Sequence, residues 1–203
     1  MACVLAALAV SANACGGDEP SSDANEPAGK YTVEVASAEF PSRQVLGQTS
    51  LLRLGIRNTG RQTVPALAVS ISIAGREGQA STLPFAIRDP QPELAQPDRP
   101  VWVLSLGYPR FAGSSESAGG GTSDPKTFAF GELEPGATAN LVWKLSAVRT
   151  GGYVLRFVVD AGIGGQARAV TEGGSEPGGS IGARIVSATP DKVVTDSGEV
   201  VEK

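Results

Sequence analysis

Residues 51–73, LLRLGIRNTGRQTVPALAVSISI, carry the clearest pattern in the chain and decide its fold class. Apolar side chains alternate with polar or small ones over 52–57 and again over 67–73. This two-residue period is typical of strands that bury one face. The turn residues Asn58-Thr59-Gly60 end the first segment. Two strands around such a turn predict an antiparallel pair.

The same period recurs along most of the chain. Alternating segments cover 31–38, 127–131, 141–145 and 153–159, a compact apolar run covers 101–106, and turns rich in Gly or Pro separate them. No segment repeats apolar residues at helical spacing over a helical length. Successive short strands of this kind predict an all-β, antiparallel two-sheet sandwich.

The C-terminal part adds strands to this plan. Segments 166–170 and 180–186 predict a hairpin across the Gly-rich turn between them. We therefore place the sandwich domain at 31–188, with extra C-terminal strands, and we predict a tail or a small hairpin for 189–203.

The N-terminal sequence predicts an export signal. An uncharged apolar run, Ala2–Val10, leads through small residues to Cys15, which predicts a signal peptide over 1–14 that is too short to span a bilayer. The segment resembles the signal and lipobox of bacterial lipoproteins. That resemblance implies a diacylated Cys15 that anchors the protein to a membrane. An ordinary secretory signal cut at the same bond is the alternative, and both predict export.

Residues 15–30 are predicted to be a flexible tether. After the cysteine they contain Gly, Pro, Ser and acidic residues, with almost nothing apolar to bury. An ordered surface arm is the alternative. The tether would hold the domain clear of the membrane.

Composition excludes several functions. The chain has 17 basic and 21 acidic residues, a net charge of −4, and no basic stripe, which argues against a nucleic-acid partner. It has no His, and its cysteines, Cys3 and Cys15, lie in or beside the signal. We therefore predict no disulfide in the domain, no cofactor and no metal site.

Three short motifs suggest a family. Asn58-Thr59-Gly60, Leu133-Glu134-Pro135-Gly136 and Gly152-Tyr153 resemble the turns of bacterial CARDB-like, immunoglobulin-like extracellular modules. The resemblance implies an immunoglobulin-like sandwich and a role in adhesion or spacing. A long loop insertion, 76–126, departs from the family pattern.

The insertion supplies the candidate binding residues. Loops at the ends of sandwiches are held rigidly and often bind partners, and aromatic and Arg side chains carry much of the energy of interfaces. We predict a contact patch of Trp102, Tyr108, Arg110 and Phe111 for a protein or glycan partner. The alternative places Trp102 in the core and uses Tyr108 and Phe111 to cover a sheet edge.

Carboxylates give no catalytic prediction. Glu132 and Glu134 flank one residue beside a Pro-Gly turn, which favours a solvated turn over an acid–base pair. Asp89, Asp98 and Asp160 lack the spacing of a calcium loop.

We therefore expect an extracytoplasmic, lipid-anchored envelope protein whose immunoglobulin-like domain is a non-enzymatic binding or adhesion module. The alternatives are a secreted form, an accessory subunit of an envelope complex that pairs through a sheet edge, and a carboxylate-dependent enzyme that acts on glycans.

Overall fold

The computed structural model describes residues 26–75, 85–87, 100–122, 124–187 and 192–202, and within these ranges it contains strands and turns but no helix. The strands in chain order are β1 (Gly29–Glu39), β2 (Arg43–Val45), β3 (Thr49–Asn58), β4 (Ala68–Gly75), β5 (Phe85–Ile87), β6 (Trp102–Leu104), β7 (Arg110–Phe111), β8 (Gly120–Gly121), β9 (Thr127–Ala129), β10 (Thr138–Ala147), β11 (Gly151–Asp160), β12 (Ala167–Val170), β13 (Gly178–Val186), β14 (Lys192–Val194) and β15 (Val200–Glu202).

The strands form two main sheets. The first has the order β12-β1-β3-β10-β6-β5, with β7 also paired to β10, and the second has the order β2-β13-β11-β4-β9-β8. The segment β1-β3-β10-β6 matches strands A-B-E-D of an immunoglobulin domain, and β13-β11-β4 matches G-F-C. The predicted immunoglobulin-like two-sheet sandwich is confirmed.

The core lies between the two sheets. Along β3, the side chains that alternate inward, Leu52, Leu54 and Ile56, are fully buried, and those of β10 and β11 behave in the same way. Alternation thus identified the buried face of each long strand, because a strand in a sandwich packs one face on the core and exposes the other.

The predicted pairing of 52–57 with 67–73 is wrong. β3 pairs with β1 and β10 in the first sheet, whereas β4 pairs with β11 and β9 in the second. The connection between β3 and β4 is fixed across the end of the sandwich, because Val64 exchanges backbone hydrogen bonds with Leu133, both at 3.0 Å. The chain therefore crosses between sheets after Asn58-Thr59-Gly60 instead of reversing in one sheet.

The predicted hairpin of 166–170 with 180–186 is also wrong. β12 pairs in parallel with β1, and β13 pairs with β11 and, in parallel, with β2. Both segments have the expected strand period, but each completes a different sheet. Period alone does not specify a partner.

The folded domain begins earlier than predicted. β1 starts at Gly29, and the Glu26 carboxylate accepts the backbone amides of Gly164 and Ala167, at 2.5 and 2.6 Å. Residues 26–30 thus contact the rest of the domain through Glu26 and the start of β1. Residues 1–25, with the predicted signal peptide and Cys15, and residues 188–191 lie outside the described residues. Strands β14 and β15 pair as a separate small hairpin.

A tyrosine secures the crossover from β10 to β11. The Tyr153 hydroxyl donates to the carbonyl oxygen of Thr150 at 2.8 Å. This contact is similar to the tyrosine corner of immunoglobulin-like sandwiches, in which a Tyr early in strand F bonds to the preceding corner. Burial raises the pKa of the Tyr153 phenol above its ordinary value, and Arg149 opposes the shift.

Candidate binding surface

Within the described part of the insertion, residues 105–109 form a bulge on the first sheet. Strands β6 and β7 both pair antiparallel with β10, and the chain between them leaves β10 after Ser105. Backbone hydrogen bonds hold both sides of the bulge. The Ser105 amide donates to the Lys144 carbonyl at 2.9 Å, and the Ala112 amide donates to the Asn140 carbonyl at 2.7 Å. The loop therefore projects from a fixed base.

Trp102 does not belong to an exposed patch. Its relative exposure is 0%, and its indole N–H donates to the side-chain oxygen of Gln44 at 2.8 Å. Phe40 and Tyr153 pack edge-on against it, with ring centroids 5.4 and 5.7 Å away. The alternative that places Trp102 in the core is correct, because the indole satisfies its only polar group inside the sandwich.

Tyr108 and Arg110 form one unit. The Arg110 guanidinium carbon lies 4.5 Å from the centroid of the Tyr108 ring, in cation–π geometry, and its Nε donates to the Gly107 carbonyl. Gly107 has φ of +74°, and a Cβ there would lie 2.8 Å from the guanidinium. Glycine is therefore required both for the turn and for the position of Arg110.

Phe111 and Leu106 supply the apolar part of this loop. Phe111 is 39% exposed and packs edge-on against Phe130, with ring centroids 6.0 Å apart. Leu106, which is not among the predicted patch residues, is 83% exposed. We call Leu106, Tyr108, Arg110 and Phe111 the loop surface. It contains three of the four predicted patch residues, and two of these, Tyr108 and Phe111, also cover part of the core.

The acidic residues are arranged differently from a catalytic pair. Glu132 and Glu134 are exposed, and the Glu134 carboxylate accepts the Thr63 hydroxyl at 2.8 Å. Asp160 accepts the amides of Ala161 and Ala169, while Asp89 and Asp98 lie outside the described residues. Within the described ranges no group of His, Cys, Asp or Glu is placed to hold a metal ion.

Sequence reasoning missed one acidic cleft. An open cleft of about 470 Å³ brings Glu34 of β1 beside Glu172 and Glu176 of the turn before β13. Glu34 is far in sequence from Glu172 and Glu176, and all three are exposed. A second open cleft, about 560 Å³, lies at the end of β1 and the start of β3.

The two turn motifs of the sequence meet at one end of the sandwich. The fully buried Asn58 donates its side-chain amide to the carbonyls of Gln62 and Leu133, at 2.9 and 2.8 Å, and accepts the Gly60 amide at 2.9 Å. The Gly136 amide donates to the Asn58 carbonyl at 2.8 Å. Asn58 therefore ties the crossover after β3 to the turn before β10.

The outer edge of β12 is blocked by carboxylates. The Gly29 amide donates to the Gln166 carbonyl at 3.1 Å, so the parallel ladder leaves the amides of Ala167 and Ala169 facing away from β1. Glu26 accepts the first of these amides and Asp160 the second, at 2.6 and 3.1 Å. A further strand finds these donors occupied.

The outer edge of β2 is blocked in a similar way. The Arg184 amide donates to the Ser42 carbonyl at 2.8 Å. In the parallel ladder of β13 with β2, this bond fixes which amides of β2 face β13, and the Val45 amide lies on the outer side. That amide donates to the side-chain oxygen of Gln48 at 2.8 Å. One short parallel edge strand of each sheet is thus capped by side chains.

In the part of the chain that the structure describes, no helix is long and apolar enough to cross a bilayer. Fold, loop surface and capped edges together define an immunoglobulin-like β-sandwich domain with a projecting loop. No family model matches the sequence, and no curated protein matches it.

Several solved structures are similar in part. A CARDB domain from Pyrococcus furiosus, solved with di-metal ions, has 14% identity and a TM-score of 0.43, and the match covers 80% of this chain and 97% of that domain. A cohesin module from a Clostridium perfringens family 33 glycoside hydrolase has 12% identity and a TM-score of 0.46, over 78% and 99%. Escherichia coli alpha-2-macroglobulin has 17% identity and a TM-score of 0.43, over 81% and 18%. Likeness at this level assigns the chain to no family, so membership among CARDB-like modules stays a prediction.

Proposed function

We propose that this chain is an exported, lipid-anchored envelope protein whose domain binds a protein partner through the loop surface. The observation that carries the proposal is the side chain of Leu106, 83% exposed on a bulge that hydrogen bonds fix at both ends. A preorganised loop loses little conformational entropy on binding. Arg110, already held on Tyr108, adds a charged group in a fixed position.

The proposed export and lipid anchoring rest on the N-terminal sequence. The apolar run Ala2–Val10, the small residues before Cys15 and the polar segment after it support processing at Cys15 and acylation of the new N-terminus. Two acyl chains give firm anchoring, whereas one chain gives only marginal binding.

The chemistry of the loop surface favours a protein over a glycan. A sugar ring stacks on a free aromatic face, but the Arg110 guanidinium covers a face of Tyr108. Leu106 and Phe111 offer apolar contact instead. Apolar anchors beside an Arg are typical of protein interfaces.

The second candidate, an accessory subunit that pairs through a sheet edge, has less support. The outward amides of Ala167, Ala169 and Val45 already donate to side chains. Addition of a strand at β12 or β2 would first require the loss of these bonds.

Site-specific crosslinking in bacterial envelopes tests the proposal. The sequence has no cysteine after Cys15, so Leu106→Cys introduces a single thiol into the domain. We expect one discrete adduct at position 106, its loss when Arg110→Glu is added, and no adduct for Thr138→Cys on the exposed face of β10. Arg57→Glu, added to Leu106→Cys in place of Arg110→Glu, is the matched control: it reverses the same charge outside the loop surface and should leave the adduct intact. Equal adducts at positions 106 and 138, or an adduct insensitive to Arg110→Glu, would refute binding through the loop surface.

A further inference from the structure

The outer face of the second sheet is cationic although the whole chain is acidic. Arg43 on β2, Arg184 on β13 and Arg156 on β11 are exposed and point outward. Asp160 is the one acidic residue in the six strands of this sheet, and its carboxylate accepts two backbone amides at the end of β11. We call this surface the arginine face.

Two of these arginines are direct neighbours. Arg184 and Arg43 are register partners in the parallel pair of β13 and β2. Like charges in directly opposite positions destabilise a sheet. An anion between the two guanidinium groups would remove that repulsion.

Two arginines of the first sheet lie opposite acidic residues, although Lys30 of β1 and Arg168 of β12 also form a like-charge pair there. Arg57 lies opposite Glu34, and Arg53 lies opposite Glu39, in the antiparallel register of β3 with β1. Opposite charges in such positions compensate each other. In contrast to Arg53 and Arg57, no arginine of the arginine face has an acidic register partner among the strands that the structure describes.

The arginine face also carries small side chains and partly exposed apolar ones. Val154 of β11 is 38% exposed between Gly182 and Ala74 of the neighbouring strands, and Val45 of β2 is 37% exposed. Ser180 and Ser72 flank Arg156 on either side. Small neighbours let this face approach an extended surface closely.

We propose that the arginine face docks on the anionic surface of a lipid bilayer. Charge complementarity favours an anionic surface, and the exposed Val45 and Val154 fit the interface of a bilayer. Each Arg near an anionic bilayer tightens binding by about fivefold, so three arginines alone give weak, reversible attachment.

This inference rests on the proposed lipid anchor for its effect in the cell. The 11 residue-to-residue steps from Cys15 to Glu26 span at most about 40 Å when fully extended. A lipid on Cys15 would hold the domain beside the bilayer at a high effective concentration, where weak docking becomes populated. Docking would orient the domain and direct its other surfaces away from the membrane.

Sedimentation with vesicles tests the docking without the anchor. The full chain carrying Cys15→Ser is mixed at low ionic strength with vesicles of phosphatidylcholine and phosphatidylglycerol, or of phosphatidylcholine alone. We expect binding to the anionic vesicles only. Each of Arg43→Gln, Arg156→Gln and Arg184→Gln should weaken it by about fivefold, and salt should abolish it.

The control variants remove one positive charge each from the outer face of the first sheet. Vesicle binding should be unchanged in Arg53→Gln, Arg57→Gln and Lys144→Gln. Equal losses for both sets, or no binding to anionic vesicles, would overturn the proposal. Binding of soluble dextran sulfate, lost in the Arg156→Gln chain while vesicles stay unbound, would assign the face to an anionic polysaccharide instead. Because the protein is unlipidated, failure of lipidation at Cys15 does not affect this result.

Discussion

The two tryptophans form a matched pair for a test of core energetics. Trp102 and Trp143 are both fully buried, and each packs edge-on against two aromatic rings. They differ in one polar contact. The Trp102 indole N–H donates to the buried Gln44 side chain at 2.8 Å, whereas the Trp143 N–H has no hydrogen-bond partner among the described residues.

Substitution by Phe should therefore have unequal costs. Both variants lose similar ring volume, which costs comparable free energy of unfolding. Trp102→Phe also removes a hydrogen bond and leaves the Gln44 oxygen buried and unpaired, whereas Trp143→Phe removes an N–H that is already unpaired. We expect Trp102→Phe to destabilise the domain by about 2–4 kcal/mol more than Trp143→Phe.

Unfolding in guanidinium chloride, followed by far-UV circular dichroism, measures the free energy of unfolding of both variants without relying on tryptophan fluorescence. Adding Gln44→Leu to Trp102→Phe should recover part of the loss, because the orphaned acceptor is then absent. Equal destabilisation by the two Phe variants, or a larger loss at Trp143, would refute the assignment of Trp102 as a satisfied core residue.

Three further predictions concern polar contacts. Asn58→Ala should cost about 3 kcal/mol for its three side-chain hydrogen bonds, seen as a lower thermal midpoint, while Asn140→Ala on the exposed face of β10 stays near wild type; equal midpoints would contradict the role of Asn58. Burial raises the pKa of the Tyr153 phenol in the folded protein above its ordinary value of 10.0. The contribution of this phenol to the free energy of unfolding is therefore complete below pH 10.0 and is lost as the pH rises through the pKa of the folded state. Urea titrations across that range should show a steeper loss for wild type than for Tyr153→Phe, and parallel curves would exclude a contribution from this phenol. Asp160→Ala frees the outward amide of Ala169 and should increase self-association in analytical ultracentrifugation, whereas Asp160→Asn, which keeps the acceptor oxygen, should not.

The strands were predictable because each long strand buries one face. Alternation is local, so the inward residues of β3, β10 and β11 could be identified without knowledge of their partners. Partners were not predictable, because pairing depends on contacts between distant segments. β12 shows this limit: it lies beside β1, and carboxylates from Glu26 and Asp160 cap its other edge.

The candidate site was predictable to a similar extent. Composition identified the loop that contains Tyr108, Arg110 and Phe111, but it did not distinguish Trp102 from them, because the partner that buries Trp102 lies 58 residues earlier. The arginine face could not be foreseen, since a parallel register brings Arg43 beside Arg184 from the two ends of the domain.

We propose that a lipid on Cys15 holds the binding domain at a membrane, and intact mass together with membrane partitioning tests this proposal. The full chain and its Cys15→Ser variant are expressed in a bacterium, and intact mass and membrane partitioning are measured for both. We predict a membrane-bound wild type that begins at Cys15 and carries a diacylglycerol, beside a soluble, unmodified Cys15→Ser protein. A soluble and unmodified wild type would contradict the claim.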